Sequence, residues 1–304
     1  MTPARVLTRD SALPALRSWR SQAAAVYALT KPRLAAMSVL TTFVAYATAR
    51  PAAGNFPATA AGTVLAAGGA LALNQWWERE VDARMQRTRG RPLPQAQLTP
   101  RSALAWSVGF SLGGVGVLAV GVNLTAAAIA AAIIVIYGLV YTPLKRRTRW
   151  ATEVGSLSGA LPALLGNAAA GDPGARPGLV LGAILLLWQM PHFFAIGWRH
   201  RRDYQAAGFP LRPAVDPTGR NTASWSFGYT LLLAPVSLLP WVAGWLGAVY
   251  GVSAALAGGW LLQHAGRFRW GTDRDAAARD LFLATLLHLP CVMGALLLDQ
   301  LLGR

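Results

Sequence analysis

The chain has 304 residues, of which 54% are hydrophobic and 13% are charged, and its net charge is +16. So low a charged fraction excludes an ordinary soluble domain, in which roughly 25% of residues are charged. Residues 102–141 contain no Asp, Glu, Lys or Arg, which is enough for two membrane-spanning helices of about 20 residues each. The single cysteine, Cys291, excludes an intrachain disulfide.

Apolar stretches along the chain predict nine transmembrane helices, because a helix satisfies its backbone polar groups internally. The predicted fold is therefore all-α and polytopic, with a cytoplasmic tail at residues 1–24 and a single transmembrane domain at residues 25–304. The tail has four arginines but no long apolar core, so no secretory signal peptide is predicted, and an organellar presequence is the alternative. The predicted spans are residues 25–48, 59–77, 102–122, 124–142, 152–170, 178–198, 223–242, 243–265 and 281–298.

The basic residues predict the orientation of these spans. With the N-terminus in the cytoplasm and the C-terminus outside, 25 of the 28 Lys and Arg residues lie in cytoplasmic segments, as the positive-inside rule requires. Topology and attraction to anionic lipid headgroups therefore explain most of the net charge. A nucleic-acid partner is not needed.

Acidic and amide side chains mark the cytoplasmic end of the second predicted span. Asn74, Glu78 and Asp82 are four residues apart, which places them on one helix face about 6 Å apart along the axis. Two carboxylates and an amide oxygen are suitable ligands for Mg²⁺, which is commonly completed by substrate phosphates. The alternative is a solvated helix end with local ion pairs.

Basic side chains follow this acidic face. Arg87, Arg89 and Arg91 lie in the next loop, and Lys145 and Arg146 follow the fourth span. Guanidinium groups bind phosphates in a multidentate manner. Acidic residues followed in the sequence by basic residues therefore suggest a site for a metal ion and a diphosphate. The alternative for the arginines alone is an ordinary positive-inside loop.

The sixth span and its loop contain further candidates. An intramembrane histidine, His192, is a functional candidate and a potential haem-iron ligand, or else it is satisfied by a neighbouring helix. Asp203 lies among arginines and is predicted either to hold a second Mg²⁺ ion or to form ion pairs with its neighbours. His264 and His288 have no clustered partners in the sequence and are predicted to be packing residues.

From about residue 27 to residue 299 the sequence resembles the UbiA superfamily of intramembrane prenyltransferases. Two segments resemble its haem-farnesylating branch in particular, namely residues 188–193 (WQMPHF) and 203–208 (DYQAAG). The sequence departs from the family pattern at Glu78 and Glu80, where the family has Asp, and also at residues 211–215. The other matching segments are residues 29–33 (LTKPR), 74–82 with 87–88, and 141–145 (YTPLK).

The resemblance implies a helical bundle with a cavity open to the cytoplasmic side of a bacterial inner membrane. It implies Mg²⁺-dependent transfer of a farnesyl group from farnesyl diphosphate to a vinyl group of haem b, giving haem O, with haem A synthase or a terminal oxidase as a partner. The implied catalytic residues are Asn74, Glu78, Asp82, Lys145 and Asp203, all but Lys145 being metal ligands. The implied substrate-binding residues are Lys31, Arg33, Arg87, Arg91, Tyr141, Arg146, Trp188, His192, Arg202 and Tyr204.

Three alternatives stay open on the sequence. A related enzyme could prenylate another aromatic acceptor at the same diphosphate site. A non-catalytic haem-binding assembly protein could have lost Mg²⁺ binding through Glu78. A secondary transporter is disfavoured because the acidic residues lie at one edge of the membrane and no inverted repeat is visible.

Overall fold

The structure, a computed structural model, describes residues 18–51 and 54–303, and the regular structure in these residues is helical throughout. This confirms the predicted all-α class. The helices are α1 (Trp19–Leu29), α2 (Pro32–Thr48), α3 (Phe56–Asp82), α4 (Pro100–Gly121), α5 (Leu124–Leu144), α6 (Ala151–Ala170), α7 (Arg176–Arg199), α8 (Arg201–Ala206), α9 (Arg212–Val215), α10 (Arg220–Val242), α11 (Ala248–Trp270) and α12 (Arg274–Leu302).

Six of these helices are long and apolar enough to cross a membrane on length and composition alone. They are α3, α4, α5, α7, α10 and α12. The remaining long helices α2, α6 and α11 have 17, 20 and 23 residues and occupy the positions of the first, fifth and eighth predicted spans. The predicted total of nine spans is therefore not confirmed, whereas the polytopic membrane fold is.

The first predicted span, residues 25–48, is wrong as a continuous helix. The helix is interrupted at Lys31, which has a left-handed backbone with φ of 46°. Pro32 follows it at the first position of α2. A proline disfavours the helical conformation of the residue before it, while its own fixed φ suits the start of a helix. The break separates α1 from α2. The first helix begins at Trp19, where the Ser18 hydroxyl accepts a hydrogen bond from the N–H of Ser21.

Helix α7 lies at the centre of one half of the bundle, where it contacts α2, α6, α10 and α12. Its buried face is apolar and includes Leu181, Ile184 and Phe194. The other half is built on the α3–α4 pair, whose backbones approach closely at glycines. A Cβ atom at Gly114 would collide with the backbone of Ala66. Small residues at such crossings are typical of membrane helices, because packing drives their association.

The end of α5 has an irregular backbone. Residues Val135–Tyr141 form a π-helical segment, and the Thr142 hydroxyl donates a hydrogen bond to the Tyr137 carbonyl at 2.8 Å. Pro143 follows immediately and has no N–H for the helical ladder. Segments of this kind are frequent at functional sites. Here the segment places Tyr137 and Tyr141 on the wall of a cavity within the bundle that is partly open.

Candidate functional site

Asn74, Glu78 and Asp82 lie together on the buried face of α3, as their spacing predicts. Their exposed fractions are 2%, 2% and 0%. Burying two carboxylates is costly unless cations and hydrogen-bond donors compensate for the lost hydration. The alternative of a solvated helix end is therefore wrong for these three side chains.

Each of the three side chains on α3 has a cationic partner from another segment. Lys145 Nζ lies 2.6 Å from Glu78 Oε1, and Arg91 Nη1 lies 2.6 Å from Asp82 Oδ2. Lys31 Nζ donates to Asn74 Oδ1 at 3.1 Å. The helix end therefore collects three cations around two carboxylates, which leaves a net positive charge. We call Lys31, Asn74, Glu78, Asp82, Arg91 and Lys145 the charged cluster.

Local hydrogen bonds fix the segments that supply these cations. The amide of Gln75 donates to the Leu29 carbonyl at 2.6 Å, which holds the end of α1 against α3. The Thr88 hydroxyl donates to the Asp82 carbonyl at 2.9 Å, which turns the loop after α3 back on itself. The amide of Asn74 donates to the Thr142 hydroxyl at 3.1 Å and joins α3 to α5. The three cations of the charged cluster therefore come from three non-helical segments, which lie between α1 and α2, after α3 and after α5.

The electrostatic surroundings affect the two lysines of the charged cluster in opposite directions. Lys31 lies in the break between α1 and α2, where burial and the Arg91 guanidinium lower its pKa to about 7. Burial also opposes the charge of Lys145, which follows α5. The Glu78 carboxylate outweighs that effect and holds the pKa of Lys145 above its usual range. Lys145 therefore stays charged, and Lys31 is the more readily neutralised cation.

Oxygen atoms suitable for a hard cation lie at this helix end. Asp82 Oδ1 is buried and has no hydrogen-bond partner among the residues that the structure describes, and the cation found near Glu78 Oε2 is Arg91 at 4.0 Å. An unpartnered buried carboxylate oxygen is unusual in a folded protein. Mg²⁺ requires oxygen ligands and keeps positions for water or phosphate. The donor set of Asn74, Glu78 and Asp82 therefore fits this ion.

Asp203 is not brought into a three-carboxylate group with Glu78 and Asp82. In the residues that the structure describes, no three His, Cys, Asp or Glu side chains form a group that could hold a metal ion. Asp203 lies on the short helix α8, where the neighbouring Tyr204 hydroxyl accepts a long hydrogen bond of 3.5 Å from Arg87. The sequence predicted that Asp203 would join Asn74, Glu78 and Asp82 as a metal ligand. The position of α8 in the structure does not bring Asp203 into such a group.

The other basic residues that were predicted to bind phosphate lie around the charged cluster and are not members of it. Arg146 donates to the Trp77 carbonyl at 3.0 Å and thereby ties the end of α5 to α3. Arg33, Arg87, Arg146 and Arg202 are exposed. They form a basic rim at the end of the bundle where the charged cluster lies.

A cavity of about 270 Å³ lies among α2, α3, α5, α6 and α7. Its wall is mainly apolar and includes Tyr141, whose ring lies 5.2 Å from Lys145 Nζ. The cavity therefore begins beside the charged cluster and extends into the apolar bundle. Its lining includes Leu34, Ser38, Thr63, Ala66, Ala70, Leu71, Ala130, Ile133, Tyr137, Tyr141, Gly155, Ser158, Gly159, Pro162, Leu165, Gln189 and Phe193.

Comparison with known proteins identifies the architecture. Residues 35–286 match the model of the UbiA prenyltransferase family. The chain belongs to this family. It is 42% identical over 285 residues to a protein of Solibacter usitatus named protoheme IX farnesyltransferase, and the match covers 90% of this chain and 97% of that relative.

Solved structures of the UbiA fold superpose on almost the whole chain. A digeranylgeranylglyceryl phosphate synthase aligns with a TM-score of 0.77 at 14% identity, covering 92% of this chain and 98% of that one. A UbiA homologue from Archaeoglobus fulgidus bound to GPP and Mg²⁺ aligns with a TM-score of 0.60 at 11% identity, covering 90% and 99%. At such identities these likenesses show the fold alone.

Within this UbiA-family chain, Trp188 and His192 lie beside the cavity rather than among its lining residues. The Trp188 indole donates to the Thr285 carbonyl at 3.0 Å, and His192 Nδ1 lies 2.9 Å from the Thr285 hydroxyl. Their rings stack with centroids 4.9 Å apart. The alternative prediction that His192 contacts a neighbouring helix is confirmed for its Nδ1 atom, which contacts Thr285 on α12.

Arg212 is a structural residue that the sequence pattern did not single out. It is 2% exposed and bonds Glu153 and Asn221, each at 3.0 Å. Its guanidinium lies 4.7 Å and 4.4 Å from the ring centroids of Trp150 and Trp225. The contact with Glu153 anchors α9 to α6. The sequence indicated this role only through the presence of an Arg in residues 211–215, the segment that departs from the family pattern.

Proposed function

We propose that this chain transfers the farnesyl group of farnesyl diphosphate to a vinyl group of protohaem IX, with Mg²⁺, to give haem O. The observation that carries the proposal is the near full-length match at 42% identity to a protein named protoheme IX farnesyltransferase. The charged cluster supports it, since a diphosphate leaving group needs cations and a metal at one end of an apolar cavity.

The charged cluster divides into two sets of residues with different roles. Asn74, Glu78 and Asp82 would hold Mg²⁺, which supplies charge neutralisation to the diphosphate when it is bound. Lys31, Arg91 and Lys145 contact the same three side chains and lie where the diphosphate would meet the cluster. Asp203 would join the metal ligands only if α8 moves toward α3 when substrate binds.

The cations contribute to the step in which the bond between C1 of the farnesyl group and the diphosphate oxygen breaks. Negative charge builds up on the diphosphate as this bond lengthens, and the guanidinium and ammonium groups stabilise that charge where it develops. Lys145 is positively charged before substrate arrives and is fixed by Glu78 and the Tyr141 ring. The site is therefore organised for the transition state in advance.

The cavity protects the allylic cation that this step produces. Its apolar wall excludes water, and the rings of Tyr137 and Tyr141 offer negative faces to a nearby cation. The haem vinyl group then attacks C1 of the farnesyl unit, and water captures the resulting cation and releases a proton, which the departing diphosphate can accept, to give the hydroxyethylfarnesyl group. The basic rim of Arg33, Arg87, Arg146 and Arg202 would draw the anionic diphosphate toward the cluster.

We assign the end of the bundle that contains the charged cluster to the cytoplasmic face of a bacterial inner membrane, with the N-terminus inside and the C-terminus outside. The positive-inside rule supports this assignment, because most basic residues lie in segments at that end. Haem O would pass from this chain to a haem A synthase or a terminal oxidase.

The test is a product assay on the purified full chain in nanodiscs. The protein is incubated with haem b, farnesyl diphosphate and Mg²⁺, and the pigment mass is measured with and without a chelator. We expect a chelator-sensitive gain of one hydroxylated farnesyl group. Transfer to 4-hydroxybenzoate instead of haem would establish a different acceptor, and haem binding without release of diphosphate would establish a non-catalytic assembly protein.

A further inference from the structure

The hydrogen bonds around Thr285 favour one tautomer of His192. The Thr285 hydroxyl donates to the Phe282 carbonyl at 2.6 Å, and this uses its single hydrogen. With that hydrogen on the Phe282 carbonyl, the Thr285 hydroxyl accepts the contact of 2.9 Å from Nδ1–H of His192, and this is the tautomer that the geometry favours. In a neutral imidazole this leaves Nε2 as an unprotonated nitrogen with a free lone pair.

Nε2 of His192 is also accessible. It makes no hydrogen bond with any described residue, and it is not among the buried polar atoms without a partner. His288 on α12 differs, since both of its ring nitrogens are buried without a partner in the described part of the chain and the residue is 1% exposed. The Nε2 atom of His192 is therefore less enclosed than either ring nitrogen of His288.

The surroundings of His192 suit a flat aromatic ligand. Its ring stacks on Trp188 and lies 5.1 Å from the Phe282 ring. Gln189 and Phe193, three residues before it and one after it, line the cavity. A separation of three residues turns a helix by about 300°, so His192 lies on the flank of the cavity-facing side of α7, toward α12.

We propose that Nε2 of His192 is an axial ligand of the haem iron, and that Thr285 is a positioning residue that fixes the imidazole tautomer. This proposal rests on the proposed function, because it concerns the acceptor substrate of that reaction. The Nε2 lone pair forms a bond to iron in place of an axial water, and no proton moves because Nδ1 keeps its hydrogen. A second group that orients the ring through the other nitrogen is usual for histidine ligands.

A cation lies at a suitable offset for the propionate groups of the same porphyrin. Arg199 is seven residues after His192, almost two turns or about 10.5 Å along α7 on nearly the same face. It is exposed and has no ion-pair partner among the described residues, its recorded contact being the Phe282 ring at 5.2 Å. Iron at His192 and carboxylates near Arg199 would hold the porphyrin beside the cavity.

The first experiment titrates ferric haem b into the purified full chain in nanodiscs and records absorption and electron paramagnetic resonance spectra. We expect the wild type to show histidine-ligated iron. His192→Ala should lose that signature and weaken haem binding about tenfold or more, and added imidazole should restore the signature. His264→Ala is the matched control, because the Nδ1 atom of His264 also has a hydrogen-bond partner, the Trp260 carbonyl, and lies on a helix that packs mainly against α10 and α12.

The second experiment tests Thr285 through the iron–histidine stretching frequency of the ferrous protein. Thr285→Val removes the acceptor of Nδ1–H, makes the imidazole a weaker donor and should lower that frequency. Thr285→Ser should restore it because a hydroxyl is again present. A frequency that is the same in Thr285→Val and the wild type would overturn the positioning role.

Metal-free protoporphyrin IX separates the failure of this proposal from the failure of the proposed function. We expect His192→Ala to lose the preference of the wild type for haem b over this porphyrin. If the wild type converts haem b to haem O while His192→Ala leaves the iron spectrum unchanged, the axial-ligand proposal is wrong and the function stands. If the wild type neither binds nor farnesylates haem, the proposed function itself is wrong.

Discussion

The two carboxylates of the charged cluster are bound to different cations, so their contributions can be separated by single substitutions. Glu78 is paired with Lys145, and Asp82 is paired with Arg91. Asp82 in addition has a buried oxygen without a hydrogen-bond partner among the described residues. Of these two carboxylates, Asp82 is therefore the better suited to bind a further ligand.

We expect Asp82→Asn to lower turnover by about 10²-fold or more and to raise the Mg²⁺ concentration needed for half-maximal rate. The substitution keeps the shape of the side chain but removes the negative charge that the metal needs. Glu80→Gln is the matched control, since Glu80 is two residues away with a side chain 71% exposed, and its rate should stay within about twofold of the wild type. Product formation over a Mg²⁺ series makes the measurement, and wild-type rates for Asp82→Asn would remove Asp82 from the metal site.

Lys145→Met should lower both thermal stability and activity, because it leaves the Glu78 carboxylate buried without its closest cation. Removing one partner of a buried pair costs about 3–5 kcal/mol. Adding Glu78→Gln to this variant should recover most of the stability, since the buried charge is then gone, but should recover no activity. Thermal unfolding in detergent and product assays on all four proteins test this, and stability that does not recover in the double variant would contradict it.

At the scale of the element, the break between α1 and α2 combines a strained backbone with a charged side chain. A non-glycine residue with left-handed backbone costs about 1–2 kcal/mol, and Lys31 has φ of 46° while its amine contacts Asn74. The strain is retained at a residue of the charged cluster, as expected where a conformation serves a site.

Lys31→Gly should therefore raise the free energy of unfolding by about 1 kcal/mol while raising the KM for farnesyl diphosphate about tenfold. Glycine adopts the left-handed conformation without strain, but it removes the ammonium group. Arg50→Gly is the matched control, because Arg50 also has a positive φ, of 55°, and is exposed in the connection after α2. That variant should gain stability with an unchanged KM. An unchanged KM for Lys31→Gly would show that the amine does not bind the diphosphate.

The wall of the cavity depends on glycines of α6. A Cβ atom at Gly155 would lie 2.6 Å from the Tyr141 ring, so Gly155→Ala must shift that ring or α6, both of which line the cavity. Because Tyr141 lies where the cavity begins beside the charged cluster, we expect this variant to lose rate with farnesyl diphosphate and geranyl diphosphate alike. Gly113→Ala is the control, since, apart from its chain neighbours and its own helix backbone, no atom of the described residues lies within 4 Å of a Cβ at that position. A wild-type rate for Gly155→Ala with either diphosphate would contradict a role of this wall in substrate binding.

Most of the elements and half of the site could be predicted from the sequence, and the remainder could not for identifiable reasons. Apolar runs and the spacing of Asn74, Glu78 and Asp82 are local features that survive folding unchanged. The pairing of Lys145 with Glu78 is not local, because 67 residues separate them. The position of Asp203 depends on how α8 packs. The partner of His192, Thr285, is 93 residues away on a helix without a recognisable motif there.

At the scale of the whole molecule, the loops at one end of the bundle are joined by different kinds of contact from the loops at the other end. Ion pairs and the charged cluster join the loops at one end. At the other end Asn55 donates to the Ala169 carbonyl at 3.0 Å and Asn123 donates to the Ala168 carbonyl at 2.7 Å. The Asp299 carboxylate also accepts from the Gly247 N–H there, at 2.6 Å. These ties use amides and a carboxylate instead of arginine and lysine side chains, so the asymmetry of basic residues agrees with the proposed orientation.

This orientation predicts which loops react with a membrane-impermeant maleimide. Cys291→Ser gives a background without cysteine, since Cys291 is the single cysteine of the chain. In that background Gly174→Cys, in the exposed loop after α6, should be labelled in spheroplasts of a bacterial host. Arg147→Cys, in the exposed loop after α5, should be labelled only after the membrane is permeabilised. The reverse pattern would place the charged cluster outside the cell, and the cytoplasmic supply of farnesyl diphosphate would then be on the wrong side of the membrane.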